Sequence, residues 1–299
     1  MSILKAWVSA ARLRTLPLSI SGIIVGSALG TPIFWQTSIF WLALLTTLGL
    51  QILSNFANDY GDGIKGTDNQ DRVGPPRALQ IGSISSTQML RGIVITACLT
   101  FVLAISLIYV SFGKENYIYT IIFFLLGIMA IAASILYTVG KSAYGYRGLG
   151  DVFVFVFFGL VSVVGCYFLF TKTIEDLVVL PAITIGLLST AVLNLNNMRD
   201  HSNDKKSNKN TLVVKLGIQN AKMYHFCLVI LAICILSIFI FFSYEKPLDL
   251  IPLIAFIPLF IHINKVRNTK HAELLDPELK KVALTTFLLA ILFSLSQIL

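Results

Sequence analysis

Charge is what this sequence has least of. Only 13% of its 299 residues are Asp, Glu, Lys or Arg, against 56% hydrophobic. A soluble domain is nearer a quarter charged, so a water-exposed surface of this size cannot be covered and a soluble globular protein is excluded. Cysteine is also scarce. Cys98, Cys166, Cys227 and Cys234 all lie in apolar runs with no C-x-x-C spacing, which argues for reduced packing residues rather than a disulfide framework or redox motif. His201, His225, His262 and His271 are scattered without ligand spacing, which argues against a zinc site. No low-complexity segment interrupts the chain. The net charge of +8 has no basic, aromatic-interleaved soluble surface to carry it, so nucleic acid is not an expected partner.

What the chain does have is long apolar runs, with a mean hydropathy of +0.81. Runs of about 18 residues or more are long enough to cross a bilayer as helices, and helices alone satisfy the backbone there within one segment. The runs fall near 13–30, 36–57, 88–112, 117–138, 150–170, 177–198, 221–243, 248–263 and 282–299. The eighth is short and holds Pro252 and Pro258, so a kinked helix packed in protein is expected there. The predicted fold is all-α: a polytopic membrane bundle of about nine transmembrane helices around a central cavity, one domain over 1–299.

Lys5, Arg12 and Arg14 before an apolar stretch ending near Ser27-Ala28-Leu29-Gly30 have the pattern of a signal peptide. A retained first helix fits better, because the loop charges then sort cleanly. With the N-terminus in the cytoplasm, the inner segments hold 20 of the 23 Lys and Arg, and the outer ones only Lys114, Lys172 and Lys246. Basic loops are retained inside, so the count predicts a cytoplasmic N-terminus in a bacterial cytoplasmic membrane and an external C-terminus.

The outer loops are brief. Those near 58–87 and 199–220 are long, polar and rich in Asp, Asn, Lys and Gly, and long loops inside a compact domain are usually functional. The first acidic cluster runs Asn55-Phe-Ala-Asn58-Asp59-Tyr60-Gly61-Asp62-Gly63-Ile64-Lys65-Gly66-Thr67-Asp68-Asn-Gln-Asp71-Arg72. The second runs Asn196-Asn197-Met198-Arg199-Asp200-His-Ser-Asn-Asp204, then on to Lys209 and Thr211. Both open on an Asn-x-x-x-Asp step at the inner end of an even-numbered span, a weak internal echo of the kind that faces itself across a central site in membrane proteins.

Residues four apart share a helix face, so Asn58 aligns with Asp62, and Asn196 with Asp200 and Asp204. Two columns of carboxylates repel unless a cation sits between them. Mg²⁺ suits them, since it takes oxygen ligands and binds through one or two carboxylates plus substrate phosphates. The candidate metal set is Asn58, Asp59, Asp62, Asp68, Asn197, Asp200 and Asp204. The interleaved Lys65, Arg72, Arg199 and Lys209 are candidates for diphosphate, with Lys141 in the third inner loop. Such a site favours the departure of a diphosphate, because cations neutralise charge that develops as the C–O bond breaks. The plainer reading of either cluster is a solvated loop with Asn and Asp capping helix ends; the matched placement of two argues against it. A cation-coupled transporter is the rival functional class. The loop Tyr137-Thr138-Val-Gly-Lys141-Ser-Ala-Tyr144-Gly-Tyr146-Arg147-Gly148-Leu149-Gly150-Asp151 carries glycines that suit either close backbone approach to a ligand or ordinary turns. The run Val152-Phe153-Val-Phe155-Val-Phe157-Phe158 suits a lipid face or a prenyl tunnel equally.

Asn58-Asp-x-x-Asp62 with Asp68, and Asp200-x-x-x-Asp204, resemble the paired motifs of the UbiA superfamily of intramembrane prenyltransferases. The stretches Leu50–Asp62, Asp71-Arg-Val-Gly-Pro75, Gly148-Leu-Gly-Asp151, Asn196–Asp200, Lys209–Gly217 and Ala11–Pro17 are similar to its 1,4-dihydroxy-2-naphthoate polyprenyltransferase branch (MenA type). The likeness covers the first seven spans; the last two carry no usable motif. Five residues separate Asp62 from Asp68 where the superfamily often has three, so the role of Asp68 is less firmly carried over. The resemblance implies an Mg²⁺-dependent enzyme that joins a polyprenyl diphosphate to 1,4-dihydroxy-2-naphthoate and releases carbon dioxide to give demethylmenaquinol. The nearest alternative is the same chemistry on 4-hydroxybenzoate. It also implies Asp62, Asp200 and Asp204 as catalytic metal ligands, Asn58 and Asn197 in support, and Asp151 as a base or ring-orienting group across from the metal.

Overall fold

The computed structural model describes residues 2–70 and 72–299; Asp71 of the Asp-Arg-Val-Gly-Pro motif lies outside them. Nine helices among these residues are long and apolar enough to cross a membrane: α1 (Ile3–Gly30), α2 (Ser38–Ile64), α3 (Ser86–Phe112), α4 (Tyr117–Leu136), α5 (Gly150–Thr171), α6 (Asp176–Arg199), α7 (Leu212–Ser243), α8 (Pro247–Asn268) and α9 (Ala272–Ile298). Their number agrees with the sequence reading, and the bounds differ in an informative way. Polar residues at the helix ends do not stop a helix that is already nucleated by its apolar part. Hence α2 runs seven residues past 57, carrying Asn58, Asp59 and Asp62 on the helix itself, and α9 starts ten residues before 282. The first span starts at Ile3 and breaks at Arg12, whose φ of 52° is left-handed. Caps fix other starts: the Thr37 hydroxyl accepts from Phe40 N–H, Ser85 and Gln88 form a capping box, and Thr211 accepts from Val214 N–H. In α8 the segment Pro247–Phe256 is a 3₁₀ helix containing Pro252, and an α-helix follows over Ile257–Asn268. Proline's missing N–H accounts for the tighter, irregular turn.

Small residues let the helices approach at backbone distance. Gly22, Gly26 and Gly30 form one stripe of α1 against α5. A Cβ on Gly22 would come within 2.8 Å of the Phe158 carbonyl, and one on Gly26 within 2.3 Å of the Val163 carbonyl. Helices in lipid gain from van der Waals packing rather than from hydrophobic expulsion, so such stripes hold the bundle together. The middle of α5 is a π-helical turn, Phe155–Val161, and its Gly159 lies so close to α6 that a Cβ would sit 2.6 Å from the Ala182 carbonyl and from Gly186. A side chain at these glycines would overpack the contact, at about 1–3 kcal/mol each.

Burial is uneven around the ring of helices. The main core is built mostly from α1 and α5–α9, and a smaller one joins the start of α1 to α2 and α3. Helix α4 has no fully buried residue. It packs on α2 and α3 and turns its other face to a central cavity.

Candidate active site

That cavity has a volume of about 510 Å³, the size of an ordinary small-molecule site. Its polar end lies where α2 and α6 finish. Asn58, Asp62, Asp68, Arg72, Asn197, Asp200, Asp204 and Lys209 all line it, so both acidic clusters face one space. The deeper part is apolar, walled by residues such as Ala104, Leu107, Ile108, Phe123, Val161 and Leu169. Phe153, Phe157 and Phe158 also line it. The aromatic run of α5 is therefore a cavity wall rather than only a lipid face.

The two clusters are stitched together by side chains from opposite loops. Lys209 Nζ lies 3.2 Å from Asp62 Oδ2. The Tyr146 hydroxyl donates to Asp62 at 2.7 Å and is 2.6 Å from the Thr67 hydroxyl. Two ammonium groups lie over its ring, with Lys65 Nζ 4.0 Å and Lys209 Nζ 5.2 Å from the centroid, contacts favoured by the ring quadrupole. Asn203 Nδ2 of the second cluster donates to the Thr67 carbonyl at 2.8 Å. The turn between Asp62 and Thr67 needs Gly66, whose φ is +73°. Gly61 lets α2 lie against Thr138 at the end of α4, where a Cβ would come within 2.7 Å of the Thr138 backbone.

Charge in this end is distributed with purpose. Burial alone would raise the Asp200 carboxyl, but the Arg199 guanidinium, 2.6 Å away, holds it below the usual range. Burial pushes the Asp204 carboxyl up to about 7; Lys209 opposes this, while the charges of Asp200 and Asp62 add to it. Burial and the neighbouring Asp62 likewise raise Asp68, against the pull of Arg72 at 2.7 Å. Burial would lower the Lys209 ammonium, yet Asp62 and Asp204 raise it.

The donor set fits Mg²⁺. Apart from Arg72 and Lys209, the polar lining residues Asn58, Asp62, Asp68, Asn197, Asp200 and Asp204 all offer oxygen, and Asp68 Oδ2 is buried without a hydrogen-bond partner. Among the described residues no three acidic, His or Cys side chains converge as a preformed metal cage would. Mg²⁺ does not need such a cage, because phosphate and water complete its shell.

Five expected site residues lie elsewhere. Asp59, expected among the metal ligands, does not line the cavity and is buried between Arg12 (2.5 Å) and Arg77 (3.5 Å), where an ion-pair cluster meets its charge. Lys65 donates to the Thr138 carbonyl at 2.7 Å, Lys141 is exposed, and neither lines the cavity. Arg199 is 2% exposed and spends its guanidinium on Asp200, on Asn196 at 2.9 Å and on Asp276 at 2.5 Å. Lys65 and Arg199 are thus engaged by protein groups, while Lys141 stands outside the cavity. Asp151 does not line the cavity either; it sits against Tyr224 of α7. Sequence reasoning missed Tyr146, Arg77, Asn203 and Asp276. Arg12, Arg14 and Arg77 all line the cavity but entered the sequence reading only as loop charges.

The comparisons with known proteins agree with this geometry. Residues 19–293 match the UbiA prenyltransferase family. The chain belongs to that family. Among curated relatives, it is 42% identical over 98% of its length to the 1,4-dihydroxy-2-naphthoate octaprenyltransferase of Haemophilus influenzae, covering 95% of that protein. It is 45% identical over 80% of its length to the Escherichia coli protein of the same name, covering 77% of it. Among solved structures, a UbiA homolog from Archaeoglobus fulgidus bound to GPP and Mg²⁺ superposes with a TM-score of 0.71 at 15% identity, over 98% of this chain and 99% of that one. The UbiA-like bundle is thus the fold of this chain.

Proposed function

We propose that this chain transfers a polyprenyl group from polyprenyl diphosphate to 1,4-dihydroxy-2-naphthoate with loss of carbon dioxide, giving demethylmenaquinol, as a multi-pass protein of the bacterial inner membrane. The observation that carries the reading is one cavity lined by both acidic columns at one end and by apolar side chains at the other. The two bacterial relatives that share the name of this activity support the choice of acceptor.

Asp62, Asp200 and Asp204, with Asn58 and Asn197, would hold Mg²⁺ with the diphosphate; Asp68 is at the edge of this set. Bound Mg²⁺ supplies charge neutralisation at the leaving diphosphate. Lys209 and Arg72 reach the same space and offer donors to phosphate oxygens. The allylic C–O bond breaks with its electron pair going to the diphosphate. The ring carbon that bears the carboxylate attacks the allylic carbon, and the C–CO₂ bond then returns its electrons to the ring as carbon dioxide leaves. The aromatic and apolar wall excludes water from the cationic carbon, which water would otherwise trap as an alcohol.

The test is a doubly labelled assay of purified protein, with label in the prenyl group and in the acceptor carboxyl. One carbon dioxide per prenyl group transferred is expected. A product that keeps its carboxylate, or turnover only with 4-hydroxybenzoate, would overturn the acceptor and leave prenyl transfer standing. The 20-to-3 division of basic residues supports a cytoplasmic N-terminus. Cysteines introduced at positions 142 and 205 should resist impermeant thiol reagents in intact cells, and labelling of either would reverse the orientation.

A further inference from the structure

Most helical glycines in the bundle have a packing reason, since a Cβ at Gly22, Gly26, Gly159 or Gly186 would strike a neighbouring helix within about 3 Å. Gly127 of α4 and Gly165 of α5 do not. A Cβ on Gly127 would meet only Ala104 Cβ, at 3.9 Å, and one on Gly165 only Val161 Cγ1, also at 3.9 Å. Neither has the positive φ that would require glycine, and both line the cavity. Glycine inside a helix is unfavourable compared with alanine, so here the missing side chains leave space rather than contact.

The space they leave is the apolar arm of the cavity. Gly150 lies against Leu193 and Gly186 against Phe155, so along the α5–α6 pair Phe153 sits deeper in the bundle than Asn197. From Phe153 to Phe168 is fifteen residues of α5, about 22 Å. At this depth the wall includes Phe123 and Leu169, and three further rings pack behind Phe123. Phe123 and Phe168 stack at 5.7 Å between centroids, Tyr119 meets Phe168 edge-on at 4.9 Å, and Phe112 lies 5.0 Å from Phe123 and 6.2 Å from Phe168. Phe112 is 3% exposed, so the far end is closed by close-packed rings. An isoprene unit is four carbon–carbon bonds of about 1.5 Å, about 5 Å extended. The arm therefore has room for four to five units, and Gly165 stands about 18 Å along it, beside the third or fourth.

We propose that Gly127 and Gly165 determine the length of prenyl chain this protein accepts, by keeping open an apolar arm that the Phe112–Tyr119–Phe123–Phe168 cluster closes. The inference rests on the prenyl-transfer reading above. Selection here is steric. Lipid tails are as apolar as the arm, so a substrate arriving from the bilayer gains little from each further unit buried, whereas a side chain in the path excludes every tail long enough to reach it. A tail longer than four units passes the level of Gly165, so an eight-unit diphosphate meets a side chain placed there and a two-unit one does not.

The experiment measures kcat/KM for all-trans prenyl diphosphates of two, four and eight isoprene units, with 1,4-dihydroxy-2-naphthoate, on wild-type protein and on Gly165→Phe and Gly127→Phe in lipid nanodiscs. The ratio of the eight-unit to the two-unit value is expected to fall at least tenfold in Gly165→Phe, and in the same direction in Gly127→Phe. Should Gly165→Phe not accumulate in the membrane, Gly127→Phe carries the test on its own. A ratio that stays at the wild-type value in a variant present in the membrane, whatever its overall rate, overturns the proposal, because a merely structural defect lowers all lengths alike. Wild-type protein that uses none of the three diphosphates overturns the prenyl-transfer reading itself.

Discussion

In the first acidic column, Asp62 takes its counter-charge from Lys209 of the other cluster and its hydrogen bond from Tyr146 of a third loop. In the second, Asp200 takes both from its own neighbour Arg199, which also grips Asp276 at the start of α9. The geometry of the two cations differs accordingly. Arg199 is held in a planar fork by two carboxylates and an amide and is fully buried. Lys209 makes longer contacts to Asp62, 3.2 and 3.4 Å, from a loop between helices. A fork of that kind fixes a scaffold, whereas a single ammonium on a flexible stem can exchange a carboxylate for a phosphate at small cost. Similar letters in sequence thus encode a fixed column and an adjustable one.

The two cations should differ most in what their loss does. Lys209→Met should lower prenyl transfer about 10²-fold, the scale of losing one charge-stabilising donor, while the protein still accumulates in the membrane. Arg199→Met should act on stability instead. It leaves the buried Asp200 without its partner, a change that costs about 3–5 kcal/mol, so membrane levels and thermal resistance in detergent should fall before activity per molecule is compared. The reverse pattern, an unstable Lys209 variant and a stable but inactive Arg199 variant, would exchange the two roles.

A smaller effect sharpens the adjustable column. Tyr146→Phe keeps the ring under Lys65 and Lys209 and removes only the hydroxyl that Asp62 and Thr67 share. One hydrogen bond to a charged group is worth about 1.5–3 kcal/mol at most, and Lys209 remains on Asp62. The expected loss in kcat/KM is about tenfold without loss of protein. A wild-type rate would show that this loop only packs.

The fold was legible because lipid imposes a simple rule: long apolar runs become helices, and inner loops carry the basic charge. The acidic half of the site was legible for a related reason. Asn58, Asp62, Asp200 and Asp204 have no cause to recur at helical spacing unless they share a face. The cations were harder. Lys65 and Arg199 sit as near the acidic residues in sequence as Lys209 does, and only the third dimension shows that a carbonyl has claimed the one and two carboxylates the other. Asp151, whose role the family resemblance implied, lies in a helix that starts at Gly150 and sits against Tyr224 of α7, a placement that no local pattern discloses. Tyr146 and Asp276 could not be found at all, since nothing local separates a tyrosine that bonds a carboxylate 84 residues away from one that does not.

The central claim is that the two columns act as one site, and a double-mutant cycle tests it most directly. Asp62→Asn, Asp200→Asn and the double variant are to be compared by kcat/KM for prenyl transfer to 1,4-dihydroxy-2-naphthoate, at matched membrane levels and saturating Mg²⁺. Each single change should cost at least 10²-fold. Groups that act as a unit are strongly non-additive, so the double variant should be little worse than the poorer single one. A loss in the double variant equal to the product of the two single losses, or a single variant that keeps the wild-type rate, would contradict a shared site.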